Sequence, residues 1–245
     1  MITTVLFDLV DTLVEQTEES TSLRYETQVK AIHESLKDDG ILVDWPLFQK
    51  EYIETRQRQM AESRETLQEY DMNRRVSEVL SIFGHRIPSS SAPIRKATDV
   101  YMDLWIGTLK MDQGVHALLK EFAEVYKLGV VTNFSHVAGA NRTIDRFSLR
   151  ALFQTIVISG EFGWKKPSPR IFESALSNLS SKPEETVFIG DDCEVDITGA
   201  KQVGMRTIFI QRKNAKCEKA DLTIESIAEL SSAIKWLQLN TRHRT

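Results

Sequence analysis

TVFIGDDCEVDITGAKQVGMRTIFI, Thr186 to Ile210, carries two apolar runs, TVFIG and RTIFI, on either side of a helically spaced stretch from Asp196 to Val203. Each run is short, rich in β-branched and aromatic residues, and free of polar alternation. That is the pattern of a strand buried on both faces. A strand, a helix and a second strand in so short a span argue a parallel unit with a helical crossover. Working back from it, the same alternation repeats. Pro169 to Leu179 reads as a helix, TIVIS (Thr155 to Ser159) as a strand, LGVVT (Leu128 to Thr132) as another, and Val115 to Tyr126 as the helix before that. At the far N-terminus, Thr3 to Phe7 is one more buried strand, ending at Asp8, and it needs this sheet for its partners.

Between roughly Glu18 and Gly107 the pattern changes. Val29, Ile32 and Leu36 recur at helical spacing, as do Val76, Val79, Leu80 and Phe83, and then Ile94, Ala97, Tyr101, Leu104 and Trp105, with Pro93 placed for a first helical turn. No convincing strand interrupts them, so the region reads as an all-helical bundle. The expected fold is therefore α/β: a Rossmann-like parallel sheet core with helices on both faces, residues 1–15 joined by 109–245, and an inserted all-α domain, residues 16–108. The serines Ser89, Ser90 and Ser91 read as a loop.

Composition sets outer limits. The 245 residues suit one core domain with a smaller insert, and 41% hydrophobic against 27% charged residues is an ordinary balance for a packed protein. A net charge of −4 argues against a nucleic-acid partner, and the short basic tail Arg242-His243-Arg244 reads as a solvated end. The N-terminus lacks the basic start and long apolar stretch of a leader, and no run of about 20 apolar residues is present to span a membrane. Cys193 and Cys217 have neither zinc spacing nor the look of a disulfide framework. Cys193 reads as structural, and a reducing cytoplasm is the expected location.

In an open parallel sheet, ligands collect at the carboxyl ends of the strands. Four polar features fall at such ends: Asp8, Thr132 with Asn133, Lys166, and the pair Asp191-Asp192. One aspartate at a strand end is most often a turn or a helix cap. The set together suits phosphoryl chemistry. A carboxylate can act as nucleophile, further carboxylates can hold a hard cation such as Mg²⁺, and a hydroxyl and an ammonium can neutralise phosphate oxygens.

These segments also resemble the four motifs of the haloacid dehalogenase superfamily. FDLVDTLV (Phe7 to Val14) looks like the first, VVTN (Val130 to Asn133) is similar to the second, KKPSPRIF (Lys165 to Phe172) resembles the third, and GDDCEVDITGAKQVGM (Gly190 to Met205) resembles the fourth. The resemblance implies that Asp8 is the nucleophile. Mg²⁺ would be held by the Asp8 carboxylate, the backbone carbonyl of Val10 and Asp191. Thr132, Asn133 and Lys166 would bind the phosphoryl group of a small phosphorylated metabolite. Asp196 would support the metal or position Lys166, and Asp192 fits either role. The helical insert would be the cap that closes over the site and selects substrate.

The first motif departs from the phosphatase pattern, in which the second residue after the nucleophile is an aspartate that protonates the leaving group and then activates water. Here it is Val10. Such acid–base help is worth about 10² to 10⁴-fold. Asp11 is adjacent, but a one-residue shift turns its side chain elsewhere. The expectation is a phosphatase of weak or specialised activity on a small phosphorylated metabolite; a substrate with a good leaving group, such as an acyl phosphate, is one route that needs no proton. The alternative is a catalytically impaired protein that binds Mg²⁺ and a phosphorylated ligand or a protein partner. Two branches of the superfamily lack this acid: dehalogenases, which the metal-type Gly190-Asp191-Asp192 argues against, and phosphonatase-type enzymes, which need a lysine from among Lys30, Lys37, Lys50 and Lys96.

Other residues have plainer readings. Arg56 and Arg58 read as a solvated helix face, with the tail of an anionic substrate as the alternative. Trp45, Trp105 and Trp164 read as packing residues, Trp164 being the one next to the lysine motif. His136 reads as a helix start.

Overall fold

The computed structural model describes residues 1–17, 22–212 and 215–240. Glu18 and the Arg242-His243-Arg244 tail lie outside the described residues. Six parallel strands form one sheet: β1 (Thr4–Phe7), β4 (Lys127–Thr132), β5 (Thr155–Ile158), β6 (Thr186–Gly190), β7 (Arg206–Ile210) and β8 (Leu222–Ile224). Two further short strands, β2 (Glu15–Gln16) and β3 (Leu109–Lys110), pair separately. The helices are α1 (Ser22–Asp38), α2 (Trp45–Thr66), α3 (Met72–Ile82), α4 (Ala92–Ile106), α5 (Gln113–Ala123), α6 (Val137–Arg146), α7 (Ser159–Phe162), α8 (Pro169–Asn178), α9 (Gly199–Gln202) and α10 (Leu230–Asn240).

The sheet order is β5-β4-β1-β6-β7-β8. The first strand in the chain thus lies between two that come more than a hundred residues later, with Phe7 opposite Val130 on one side and Ile189 on the other. The chain leaves β1 in both directions across the sheet, so β1 is where the strand order reverses, the place where such sheets bind ligands. The strands are almost continuously apolar and buried, as expected where helices cover the faces. Leu6, Val131, Phe172, Phe188 and Ala200 share one core cluster, and the rings of Phe172 and Phe188 meet edge to face at 5.1 Å.

By contacts the chain divides into two compact units: Met1–Glu15 with Lys110–Asn133 and Ile144–Thr245, and Gln16–Leu109 with Phe134–Thr143. The first holds the sheet. The second is helical, and its periodic residues Val29, Ile32, Leu36, Val76, Val79, Leu80, Ile94 and Ala97 are buried. Leu104, expected on the same face, is exposed. Helix starts are locally encoded. Asp44 accepts the Leu47 N–H at the head of α2, Asp71 accepts that of Arg74 at α3, and α4 carries Pro93 in its first turn. The single helix expected over Asp196 to Val203 is instead a π-helical turn, Cys193–Thr198, followed by the short α9.

Candidate active site

All the sheet-borne candidates lie in the first unit. Asp8 follows β1 and is 8% exposed, and its N–H donates to the Ile189 carbonyl at 2.9 Å, which locks the end of β1 to β6. The chain then turns back within a few residues. Leu13 and Val14 N–H both donate to the Leu9 carbonyl at 2.9 Å, Asp11 N–H donates to the Val14 carbonyl at 2.6 Å, and Asp11 sits at φ 61. An aspartate tolerates this left-handed conformation better than most residues. Arg212, from the segment after β7, clamps the turn by donating to the carbonyls of Asp11 (2.8 Å) and Thr12 (3.3 Å) while its guanidinium pairs with Glu15 at 2.7 Å.

Lys166 is brought in from the segment between α7 and α8 and is 1% exposed. Its ammonium lies 2.6 Å from Asp8 Oδ1 and 2.7 Å from Asp196 Oδ1. Burial alone would push it down, but the carboxylates of Asp196 and Asp8 outweigh that and hold it above its ordinary value. Its backbone is fixed by Asn133. The Asn133 side chain accepts the Lys166 N–H at 2.7 Å and donates to the Lys166 carbonyl at 3.0 Å. Asn133, expected to bind phosphate, is joined by both bonds to the backbone of the lysine. Thr132 ends β4 next to it, buried, with its Cα partner Ile158 on β5.

The end of β6 supplies the rest. Asp196 is buried, and its Oδ2 accepts the N–H groups of Asp191 and Asp192, both at 3.1 Å. With Oδ1 on Lys166, both its oxygens are engaged, and Asp196 acts as the piece that ties the β6 loop to the lysine. Gly190 makes this possible: a Cβ there would lie 2.3 Å from Asp196 Oδ2. Asp192 turns away. Its exposed side chain accepts from Glu194 and Val195 N–H, both at 2.9 Å, and caps the π-helical turn.

Asp191 faces the cluster. Asp8, Asp191 and Asp196 present carboxylate oxygens within 4.8 Å of one another. Burial first, then the charge of Asp8, then those of Asp196 and Asp11, push the Asp191 carboxyl up to about 8 against the pull of Lys166. Burial likewise raises Asp8 to about 6, with Lys166 opposing it. Asp8 and Asp191, with the engaged carboxylate of Asp196 beside them, offer the oxygen donors and negative charge that a hard divalent cation satisfies. Oxygen donors alone and partial burial fit Mg²⁺.

Several expectations are refined or overturned. Cys193 and Cys217 form a disulfide with a Cα separation of 5.4 Å, so the absence of a disulfide expected from their spacing is incorrect. The two are 24 residues apart in sequence, and neither spacing nor composition signals that the loop after β7 folds back onto the β6 loop. With these two cysteines joined, their spacing no longer speaks for a reducing compartment. His136 accepts the Gly139 N–H at 2.9 Å at the start of α6, as read. Arg58 is on an exposed face, paired with Glu62 and Glu78. Arg56 is not: it is half-buried over the Tyr25 ring. Trp164 carries the guanidinium of Arg170 at 3.9 Å over its ring. Sequence reasoning passed over Thr12, whose hydroxyl approaches Asp191 at 3.5 Å, and Arg212. Both are revealed only by fold contacts spanning more than 170 residues.

This arrangement has known counterparts. The profile of the family described as haloacid dehalogenase-like hydrolase matches residues 5–210. The chain is 33% identical over 215 residues, 86% of its own length and 85% of the other's, to a glyceraldehyde 3-phosphate phosphatase of Methanopyrus kandleri. It is 28% identical over 221 residues, 86% and 82% of the two lengths, to the enzyme of the same name from Pyrococcus abyssi. The fold matches a solved 2-haloacid dehalogenase of Pseudomonas syringae pv. Tomato DC3000 with a TM-score of 0.69 at 23% identity, covering 96% of this chain and all of that one. The chain belongs to the haloacid dehalogenase-like hydrolase family, as a hydrolase of the phosphatase type.

Proposed function

From that membership and this geometry we propose that the chain is an Mg²⁺-dependent phosphatase of a small phosphorylated metabolite, working through a phospho-aspartate on Asp8. The observation that carries the reading is the position of the Asp8 carboxylate. It lies at the strand-order reversal, 2.6 Å from the Lys166 ammonium and inside a three-carboxylate cluster. Asp8, Asp191 and the carbonyl of Val10 would hold the ion, which when bound supplies positive charge against the phosphate oxygens.

The protein's own groups account for the remaining steps. An oxygen of Asp8 attacks phosphorus as the bond to the leaving oxygen breaks. Lys166 and Thr132 neutralise the charge spread over the phosphoryl oxygens. Asp196 and Asn133 keep Lys166 aimed. Water then attacks phosphorus, the bond to Asp8 breaks, and inorganic phosphate leaves. Val10 cannot pass a proton to the leaving oxygen or draw one from the water, so the first comes from solvent and both steps are slowed. An acyl phosphate, whose leaving group departs as a carboxylate, escapes the first of these losses.

The relatives named for glyceraldehyde 3-phosphate make that compound the first ester to try. The test is turnover of glyceraldehyde 3-phosphate, an aryl phosphate and acetyl phosphate, with Mg²⁺ and with EDTA. The expected outcome is Mg²⁺-dependent release of phosphate, fastest from acetyl phosphate, and its loss in Asp8→Asn. An Asp8→Asn protein that keeps more than about a tenth of the wild-type rate would exclude Asp8 as nucleophile. Absence of turnover with retained Mg²⁺ binding would instead favour the impaired, ligand-binding reading that Val10 raises.

A further inference from the structure

The helical unit buries positive charge that the catalytic reading does not use. Arg75 of α3 is 8% exposed. Its Nε donates to the neutral side-chain oxygen of Gln59 at 2.9 Å, and its guanidinium lies 5.7 Å from the ring centre of Tyr52, itself 1% exposed. Gln59 is held in turn by Glu78, to which its amide donates at 2.9 Å. One turn from Tyr52 on α2, Arg56 lies over the ring of Tyr25 of α1, 5.1 Å from its centre. Among the described residues, neither guanidinium has a carboxylate within ion-pair distance. The Tyr25 hydroxyl is buried and, among the described residues, has no hydrogen-bond partner. Tyr101 of α4 belongs to the same neighbourhood. Burial, with Tyr52 next, pushes the phenol of Tyr25 up to about 12 and raises that of Tyr101, while Arg56 and Arg75 pull both down.

Burying a cation without a counter-charge is costly, and aromatic faces offset only part of the cost. A helical bundle built for stability alone would have an apolar side chain at position 75. Two guanidinium forks with N–H groups to spare and an unpartnered phenol are instead the donors that recognise an oxyanion. A neutral ligand would leave the charge uncompensated, and a cation would be repelled.

We propose that Arg56, Arg75 and Tyr25, with Tyr101 beside them, form an anion-binding site inside the helical unit, taking a phosphate or carboxylate group of a small ligand. The site rests on the helical unit by itself and not on the chemistry assigned to Asp8.

The test uses the full-length protein in EDTA, with inorganic phosphate as probe. The Arg Nε–H resonances of Arg56 and Arg75 are assigned from Arg56→Gln and Arg75→Met. Phosphate should shift both resonances saturably in the wild type. Arg75→Met should melt at or above the wild-type temperature without phosphate, because a costly charge is gone, and should show a smaller phosphate-induced rise. Should Arg75→Met not fold, Arg56→Gln, at a half-buried position, carries the same comparison of phosphate-induced rises. Absence of a saturable shift at Arg75 in the wild type overturns the proposal, and so does an unchanged phosphate-induced rise in the folded variant. Either would assign the arginines to packing.

Discussion

Gly190→Ala tests how the site is assembled, because the glycine sits where the β6 loop wraps the Asp196 carboxylate. An added Cβ would lie 2.3 Å from Asp196 Oδ2 and 2.5 Å from its Cβ and Cγ, far inside any tolerated contact. Asp196 is buried between Lys166 and two backbone N–H donors and cannot yield without releasing them. Two hydrogen bonds to a charged acceptor, at about 1.5–3 kcal/mol each, put the loss at about 3–6 kcal/mol. For a chain of this size that lowers the melting temperature by roughly 6–24 °C. Turnover should fall with it, since Lys166 loses the group that aims it. Thermal melts should be run in both a wild-type and an Asp196→Gly background, the second lacking the Cβ as well as the carboxylate. The clash with Asp196 vanishes in the second, so Gly190→Ala should cost there only a small part of its cost in the wild type. Equal costs in the two backgrounds, or a wild-type cost within about 2 °C of zero, would show that Gly190 is not required by the Asp196 carboxylate.

Val10→Asp should speed turnover of alkyl phosphates on the order of 10² or more, with a much smaller gain for acetyl phosphate, when assayed at saturating Mg²⁺; a folded variant with no gain on any ester would mean that more than one catalytic group is missing. Mg²⁺ should raise the melting temperature of the wild type, and Asp191→Ala should abolish that rise while melting higher than the wild type in EDTA, because burial and then Asp8, Asp196 and Asp11 disfavour its ionised form. An intact Mg²⁺ response in Asp191→Ala would place the ion elsewhere. Burial lowers the pKa of His136 below 6.5, so the unfolded chain takes up a proton first as pH falls. The stability His136 contributes is thus complete above 6.5 and is lost as pH falls from there through its folded value. His136→Gln should melt with a shallower decline over that interval than the wild type, and parallel pH profiles would contradict the assignment.

Much of this protein is legible from local pattern. Buried parallel strands are nearly pure apolar runs, so TVFIG and RTIFI read directly as the β6 and β7 that the structure contains. Helical periodicity marked the buried faces of α1, α3 and α4, and the four polar features at strand ends are brought together. Local pattern says nothing of strand order, because hydrogen-bonded neighbours of β1 lie more than a hundred residues away along the chain. It does not assign the three aspartates that follow β6. They sit within six residues of one another, yet Asp191 faces the cluster, Asp192 caps a turn and Asp196 braces a lysine. That division depends on a π-helical turn and on which N–H groups point at which oxygen. Two cysteines 24 residues apart look unrelated until the segment after β7 folds back on the β6 loop. Arg56 and Arg75 look like ordinary surface charges on amphipathic helices. Only the packing of α1, α2, α3 and α4 sets them against tyrosine rings and beyond ion-pair distance of the described carboxylates. Sequence periodicity reports which face of an element is buried. What a buried polar group meets on the other side is decided by long-range packing.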